Sequence, residues 1–555
     1  MAVLRVDHPD IETFILSKND HTKLNNFNIS VALTNDFMNS LIKKSDYNLI
    51  NPRTKEPSKR ISANKIFDMI VDSAWQTGEP GIIFIDRINR DNLLAHLGTI
   101  EATNPCGEQP LLPYESCTLG SINLPKIISG NTVNFTLLKQ IIHHAVHFLD
   151  NVIEINKYPL QRIEKMTKKT RKIGLGVMGF ADMLIKLNIP YDSNEAFKYA
   201  DKIMAFISSE SKNASAAIGK TRGNFPAYKG STFDHKSTPY MRNATTTTIA
   251  PTGSISIIAN SSSGIEPVFA IAHKRHILDG KTLSEIHPEF VKIAKKEHFY
   301  KDELIDTIIS TGSIQGIDSI PDKVKTLFKT SHDITPEWHI KIQSAFQKYT
   351  DNAVSKTVNF PTTATRQDVA NVYLDAHKKG CKGVTIYRYG SRDKQVLNIG
   401  TEKEESSKIA PRPRPDVTSG VTERIQTGCG KLYVTINSDE HGMCEVFAQM
   451  GKTGGCASSQ IEAAGRLISL ALRSGVKIDA IFKQLIGIRC PSPSWQNGKN
   501  VLSCPDAIAQ ILKKAANFDI VENDEMMGVC PECSDVLSHE EGCMVCHSCG
   551  FSKCS

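Results

Sequence analysis

No stretch of this 555-residue chain stays apolar for the roughly 20 residues that a membrane-spanning helix needs, which argues against an integral helical membrane protein. The opening residues MAVLRVDHPDIETF lack the apolar centre of a secretory leader and carry charges at Arg5 and Asp7. No self-similarity recurs at solenoid period, so a repeat architecture is not expected. Charge of one sign is also scarce: 66 Lys+Arg against 59 Asp+Glu leave +7, spread along the chain. That excess suits an anionic small molecule and is too diffuse for a nucleic-acid surface. Together these absences predict a cytoplasmic protein whose thiols stay reduced. Its 14 cysteines are then expected as metal ligands, redox catalysts or small core residues, not as a structural disulfide framework.

What is present is ordinary globular composition, 40% hydrophobic and 23% charged, with enough chain for a large core and smaller units beside it. From Met1 to about Leu397, strand-like runs alternate with helical patterns. The runs are PGIIFID (80–86), TTTTIA (245–250), NAVSKTVNFP (352–361) and KGVTIYRYG (382–390); the helical patterns cover 136–153 and 194–218. This alternation predicts an α/β domain with a largely parallel sheet over 1–397. Residues 398–420 hold Glu, Ser, Pro and Arg but few large apolar groups, and read as a linker. Residues 421–516 read as a small α+β unit. Within it, two strands are expected in 431–451, followed by a helix over 458–475. Ser459 and Glu462 form a capping-box pattern for that helix, and Gly475 sits where its C-cap falls.

The last segment, 526–555, holds six cysteines. Cys530-x2-Cys533 and Cys543-x2-Cys546 supply four thiolates as two knuckles, the set tetrahedral Zn²⁺ takes, and so short a segment has little core of its own. Cys546-x2-Cys549 would serve equally as the second knuckle. If the first four bind zinc, Cys549 and Cys554 remain as a mobile dithiol near the end of the chain, able to attack a disulfide by exchange. A nucleic-acid-binding zinc ribbon competes with this reading, but neither basic clustering nor interleaved aromatics supports it.

Three weaker signals carry less. GLGVMG (174–179) matches a dinucleotide fingerprint, yet the stretch before it, EKMTKKTRKI, is charged and unlike a buried strand, so it reads as a close-packed helix start. His143 and His147 share a helix face without a third ligand, and read as ordinary helix histidines. Pro251, Thr252, Gly253, Ser254 and Ile255 follow a strand; their hydroxyls and successive amides would cradle phosphate, although Ser/Gly loops are common.

The most informative stretch is NPCGEQPLLPYESCTLGSINLP, from Asn104. If 104–108 is extended, Asn104, Cys106 and Glu108 share a direction while Pro105 and Gly107 face the other way. An amide, a thiol and a carboxylate would converge, a set suited to chemistry at a carbon bearing a hydroxyl. Spacing alone leaves open a turn with a buried cysteine.

At these residues the chain resembles the ribonucleotide reductases, whose finger-loop motif is Asn-x-Cys-x-Glu. AVLRVDHPDIETFI, LNNFNISVALTNDFM, RKIGLGVMGFADML, PTGSIS, DNAVSKTVNFP and GVTIYRYGSRD follow in the family's order and span nearly all of 1–397. The short step to Cys117, the IYRYGSRD ending and the cysteine-rich tail resemble the adenosylcobalamin-dependent class. Residues 427–430 and 503–506 resemble the domain named for Thr-Ser-Cys-Pro-Asp, although Leu502 stands where Thr is usual.

The resemblance implies an α/β barrel with a central finger loop, a small α+β domain and a zinc ribbon. It implies a thiyl radical on Cys106, generated with adenosylcobalamin, that abstracts the 3′-hydrogen of a ribonucleotide, with diphosphates favoured. Glu108 would take the 3′-hydroxyl proton, Asn104 would hold the sugar, and Cys117 would belong to the thiol pair that ends as a disulfide. Residues 104–108 and 251–255 would bind substrate, and Cys549 and Cys554 would re-reduce the site before being recharged by thioredoxin or glutaredoxin. A homodimer is expected of the complete enzyme.

In the family, the partner of Cys117, the first barrel strands and the effector-reading loops precede the phrase that here begins at Ala2, and no cysteine precedes Cys106. A complementing N-terminal polypeptide or a truncated sequence is therefore expected. Two other readings stand beside this one: the large subunit of a reductase with a separate radical-generating subunit, and an inactive remnant acting as a scaffold.

Overall fold

Two continuous apolar runs, Ile29–Leu33 (ISVAL) and Gly81–Phe84 (GIIF), are buried almost throughout, the pattern of strands covered on both faces. In the computed structural model they sit inside a five-stranded sheet ordered Ala2–Arg5, Ile29–Leu33, Gly81–Phe84, Gly383–Arg388, Thr357–Phe360. Three of its pairings are parallel; the junction of Gly383 with Ile83 is antiparallel. The structure describes residues 1–19, 24, 27–276, 282–391, 411–451, 456–496, 499–516, 537–540, 543–546 and 551–554. The chain divides into two units, Met1–Glu402 and Lys403–Ser555.

Helices Ala63–Thr77 and Arg366–Lys378 cover one face of this sheet through Ile66, Phe67, Ile70, Val369, Val372 and Tyr373. Ser62 caps the first through the Lys65 amide, and Gly78 closes it in the left-handed conformation. Thr365 and Asp368 form a capping box on the second.

A second parallel sheet carries the loop of interest. Thr118–Asn123 pairs with Ile173–Met178 from Thr118↔Ile173 to Asn123↔Met178. Residues 245–249 extend it by bridges at Leu175↔Thr247 and Ile249↔Val354. The TTTTIA stretch thus runs as a hydrogen-bonded extended segment, with Leu175 N donating to Thr246 O (2.8 Å) and Ile249 N to Ala353 O (3.2 Å). Residues 352–360 pass from this second sheet into the first. Long helices Phe135–Ile155 and Asn194–Arg222 bury Leu138, Ile142, Val146, Ile203, Met204 and Ile207 against it.

Two local expectations change. The glycines of GLGVMG do not start a helix: Ile173–Met178 is itself a fully buried strand, and helix Phe180–Lys186 begins after Gly179. The close packing is nonetheless real, since a Cβ on Gly176 would meet Thr248 O at 2.2 Å. The charged residues before it end a separate helix, Gln161–Thr170, and so say nothing about the strand.

In the second unit, strands Ser419–Thr427, Gly430–Asp439 and Gly442–Met450 form an antiparallel sheet. Helices Cys456–Arg473 and Cys504–Ala515 cover it through Ile461, Ile468, Ile508 and Leu512. Because the first helix starts at Cys456, Ser459 lies inside its first turn and not at the cap; Gly475 does take positive φ, +80°. Arg412 and Arg414, from the stretch read as linker, bond to this unit at Asp439 and Glu445. Leu537–Glu540, Cys543–Cys546 and Ser552–Cys554 form a small antiparallel sheet that sets Cys543 opposite Cys554 in register.

Candidate active site

Ala102–Thr103 and Pro110–Leu111 pair antiparallel and hold between them a tight turn. Gly107 N donates to Asn104 O (3.0 Å), Pro105 occupies the turn position that its fixed φ suits, and Gly107 has φ +78°. The segment 104–108 is therefore not extended, and alternation of side chains does not bring its groups together. The turn gives them different exposure: Cys106 is exposed at the tip while Glu108 is buried at 3% exposure. Asn104 folds back across the turn, its Oδ1 accepting from Gln109 N (3.0 Å).

The base of the turn is fixed to the second sheet. Glu108 O accepts from Thr248 Oγ1 (2.9 Å) and from Ala353 N (3.0 Å). Burial raises the Glu108 carboxyl above the ordinary carboxylate range, opposed by its own amide and by the Asn104 side chain. Its Oε2 is buried with no hydrogen-bond partner among the described residues, as are both polar atoms of the Gln109 amide. The Cys106 thiol is raised by partial burial and then by the Glu108 carboxylate.

Cys117 immediately precedes strand Thr118–Asn123. Burial pushes its thiol far up; Lys172 pulls it down, and Glu115 and Glu108 add to the rise. Those four groups therefore share one neighbourhood. Glu115 and Lys172 form a buried ion pair (2.7 Å), and Glu115 Oε2 also accepts from Leu112 N (2.7 Å). Gln109, Glu115, Lys172 and Thr248 were not singled out from the sequence. Glu115 and Gln109 stood in the quoted stretch, but nothing local marks Lys172, 57 positions from its partner, or Thr248.

The 251–255 stretch begins three residues after the Thr248 anchor. Thr252 takes φ +56°, and its Oγ1 accepts from Gly264 N (2.7 Å) before helix Gly253–Ile258 begins. Gly253, Ser254 and Ile255 are exposed, and nothing lies within 4 Å of where a Gly253 Cβ would stand. The turn at 104–108 and the 251–255 stretch are thus carried by one extended segment.

His143 bonds Glu210 (3.0 Å) and His147 bonds Arg222 (2.8 Å), as ordinary helix histidines do. Cys530, Cys533 and Cys549 lie outside the described residues. Of the other tail cysteines, Cys546 is buried, and the backbones of Cys543 and Cys554 pair in register on adjacent strands. Among the described residues no group of three or more His, Cys, Asp or Glu is placed to hold a metal. No helix among them is long and apolar enough to cross a membrane.

Residues 1–387 match the family model described as ribonucleotide reductase, barrel domain, and 403–516 match the TSCPD domain. The chain belongs to the ribonucleotide reductase family. It is 51% identical over 403 residues to a Thermoplasma acidophilum protein named vitamin B12-dependent ribonucleoside-diphosphate reductase, an overlap of 72% of this chain and 52% of that one. A Mycobacterium tuberculosis protein of the same name is 46% identical over 404 residues, 73% of this chain and 57% of its own length. Among solved structures, the Actinobacillus ureae class Id ribonucleotide reductase alpha subunit shares the fold, with TM-score 0.57, 24% identity and 70% of each chain covered. The chain spans about half the length of the curated relatives it matches. The Asn104–Glu108 turn lies within the residues matched to the barrel domain and is mounted on Thr248 and Ala353.

Proposed function

We propose that the chain is the catalytic portion of an adenosylcobalamin-dependent ribonucleotide reductase that converts ribonucleoside diphosphates to 2′-deoxyribonucleotides. The observation that carries this reading is the pairing of an exposed thiol, Cys106, with a buried carboxyl, Glu108, whose Oε2 has no partner among the described residues. A buried acceptor without a partner costs stability, so its retention in a rigid turn fits a group reserved for substrate.

Adenosylcobalamin, when bound, supplies the radical that removes the hydrogen atom from the Cys106 thiol, and the exposure of that thiol at the turn tip leaves it open to so large a group. Cys106, as a thiyl, takes the 3′-hydrogen of the ribose. Glu108 accepts the 3′-hydroxyl proton, a task that its raised affinity for protons suits. Asn104 fixes the turn and faces the sugar, and residues 251–255 hold the phosphates with hydroxyls and amides. The 2′-hydroxyl leaves as water, with two electrons and two protons drawn from Cys117 and a second thiol, which end as a disulfide. A complementing N-terminal polypeptide supplies that second thiol and the remaining barrel strands, since the chain spans about half the length of the curated relatives it matches. The free edge of strand Ala2–Arg5 offers a place for such strands. Cys549 and Cys554 return the site to the dithiol state at the expense of thioredoxin or glutaredoxin, and Cys530, Cys533, Cys543 and Cys546 hold a structural Zn²⁺. The working enzyme is a cytoplasmic homodimer.

The test is reconstitution with a polypeptide supplying the N-terminal barrel strands, assayed for deoxyribonucleoside diphosphate. Product should appear only with adenosylcobalamin and a dithiol, and Cys106→Ala should abolish it. Cys554→Ser should abolish turnover driven by thioredoxin but spare turnover driven by a small dithiol. Dependence on an iron or manganese subunit, or product from the Cys106→Ala protein, would overturn the proposal.

A further inference from the structure

Of the five cysteines in 421–516 that the reductase chemistry leaves unused, Cys429, Cys490 and Cys504 lie on segments that the fold draws together. Cys429 lies in the two-residue turn between strands Ser419–Thr427 and Gly430–Asp439, where it is exposed. Cys504 is the first residue of helix Cys504–Ala515 and is buried; its thiol donates to Thr427 Oγ1 (3.7 Å), two residues from Cys429. Cys429 and Cys490 both lie near enough to Cys504 to act on its thiol.

The segments bearing these thiols are laced by hydrogen bonds. Cys490 N donates to Leu502 O (3.0 Å), Ser503 Oγ to Ile488 O (2.5 Å) and Ser494 Oγ to Gln426 O (2.8 Å). Asp506 accepts from Gly487 N (2.8 Å) and Leu502 N (3.0 Å). Ser503 and Asp506 thus serve to fix where Cys504 stands. Three thiols on fixed backbone, graded from exposed Cys429 through half-buried Cys490 to buried Cys504, form no metal-ligand set among the described residues.

We infer that Cys429 and Cys504 form a thiol–disulfide exchange pair whose substrate is a low-molecular-weight disulfide of the glutathione type. The Cys429 thiolate, the accessible sulfur, attacks one sulfur of the substrate; the S–S bond breaks and the first thiolate leaves. A mixed disulfide remains on Cys429. Cys504, losing its proton to solvent, attacks the Cys429 sulfur, forms the internal disulfide and expels the second thiolate. Two protein thiols are oxidised, one disulfide is reduced to two thiols, and both protons end on the products. Burial raises the Cys504 thiol and keeps it protonated until the mixed disulfide is in place beside it, which fixes the order of attack.

The full chain, reduced and freed of metal by a chelator, is incubated with oxidised glutathione, quenched with acid and mapped by mass spectrometry without reduction. A Cys429–Cys504 linked peptide should dominate over any glutathione adduct at Cys429. In Cys504→Ser the adduct at Cys429 should instead persist, rising from a trace to about one per chain because nothing resolves it. Cys429→Ser leaves the buried position untouched and should lose both products, and Cys490→Ser should keep the link. A Cys429–Cys490 link or a stable Cys429 adduct in the unsubstituted chain would each overturn the inference.

Discussion

Two buried polar clusters in the Met1–Glu402 unit are built from similar groups and end in opposite conditions. Around Lys356, every ammonium hydrogen has a place: Nζ meets the Glu266 carboxylate, His339 Nδ1 (2.7 Å) and Thr357 O (2.9 Å). His339 Nε2 faces Ser331 O (3.2 Å), and the second Glu266 oxygen accepts from Thr357 N (2.8 Å). Around the 104–117 loop, Glu108 Oε2, both ends of the Gln109 amide and Glu115 Oε1 have no partner among the described residues. The difference separates a network that holds a fold from one that waits for something else. Burying a polar atom costs about 1–3 kcal/mol when its bond is unmade, and several such atoms in one place mark a surface that a substrate or further chain completes.

The largest effect expected from this contrast is at Glu108. Glu108→Gln keeps the shape of the side chain but cannot accept a proton, so turnover in the reconstituted enzyme should fall by about 10²–10⁴. Stability should not fall with it. Because the folded state raises this carboxyl above its ordinary 4.5, its contribution is fully present below that pH and is lost as pH rises through the raised value. The variant escapes that loss, and its denaturation midpoint at pH 7 should equal or exceed that of the parent. A marked destabilisation would place Glu108 with the structural cluster instead.

Lys356 should behave in the reverse way. Lys356→Met leaves Glu266 without its cation and His339 Nδ1 without its donor, and should cost about 3 kcal/mol. Urea denaturation followed by tryptophan fluorescence reads this directly. A neutral outcome would remove the distinction between the clusters, since replacing a buried charge by packed methylenes is sometimes harmless.

This contrast also explains which parts were legible in the sequence. GIIF announces a buried strand because a continuous apolar run is a local property, and the 194–218 helix pattern is found at Asn194–Arg222 for the same reason. The motif residues Asn104, Cys106 and Glu108 were legible as chemistry, but their arrangement was not. An extended 104–108 would turn Pro105 and Gly107 away from the chemistry, whereas they make the turn that exposes the thiol and buries the carboxyl. Lys172 with Glu115 and Lys356 with Glu266 were invisible, because partners 57 and 90 positions apart leave no periodicity. Fixing a strand needs only neighbours, whereas satisfying a buried charge needs the whole fold.

The smallest expected effect is a pH slope at His339. This ring is fully buried and its affinity for protons is held well below the ordinary 6.5, by burial first and by the Lys356 cation second. The unfolded chain therefore binds a proton near pH 6 that the folded one refuses. The stability this neutral ring contributes is complete above about pH 6.5 and drains away as the solution is acidified. The His339→Gln protein has no such proton to exchange, so its stability should decline less between pH 7 and pH 5, by up to about 1.4 kcal/mol per pH unit. His332 and His377 are also lowered by burial, so acidification should weaken both proteins, and only the difference between their slopes reports on His339. Parallel slopes would mean that the ring takes up its proton in the folded state, with Lys356 giving one up to make room, and the satisfied cluster would then be the one that titrates.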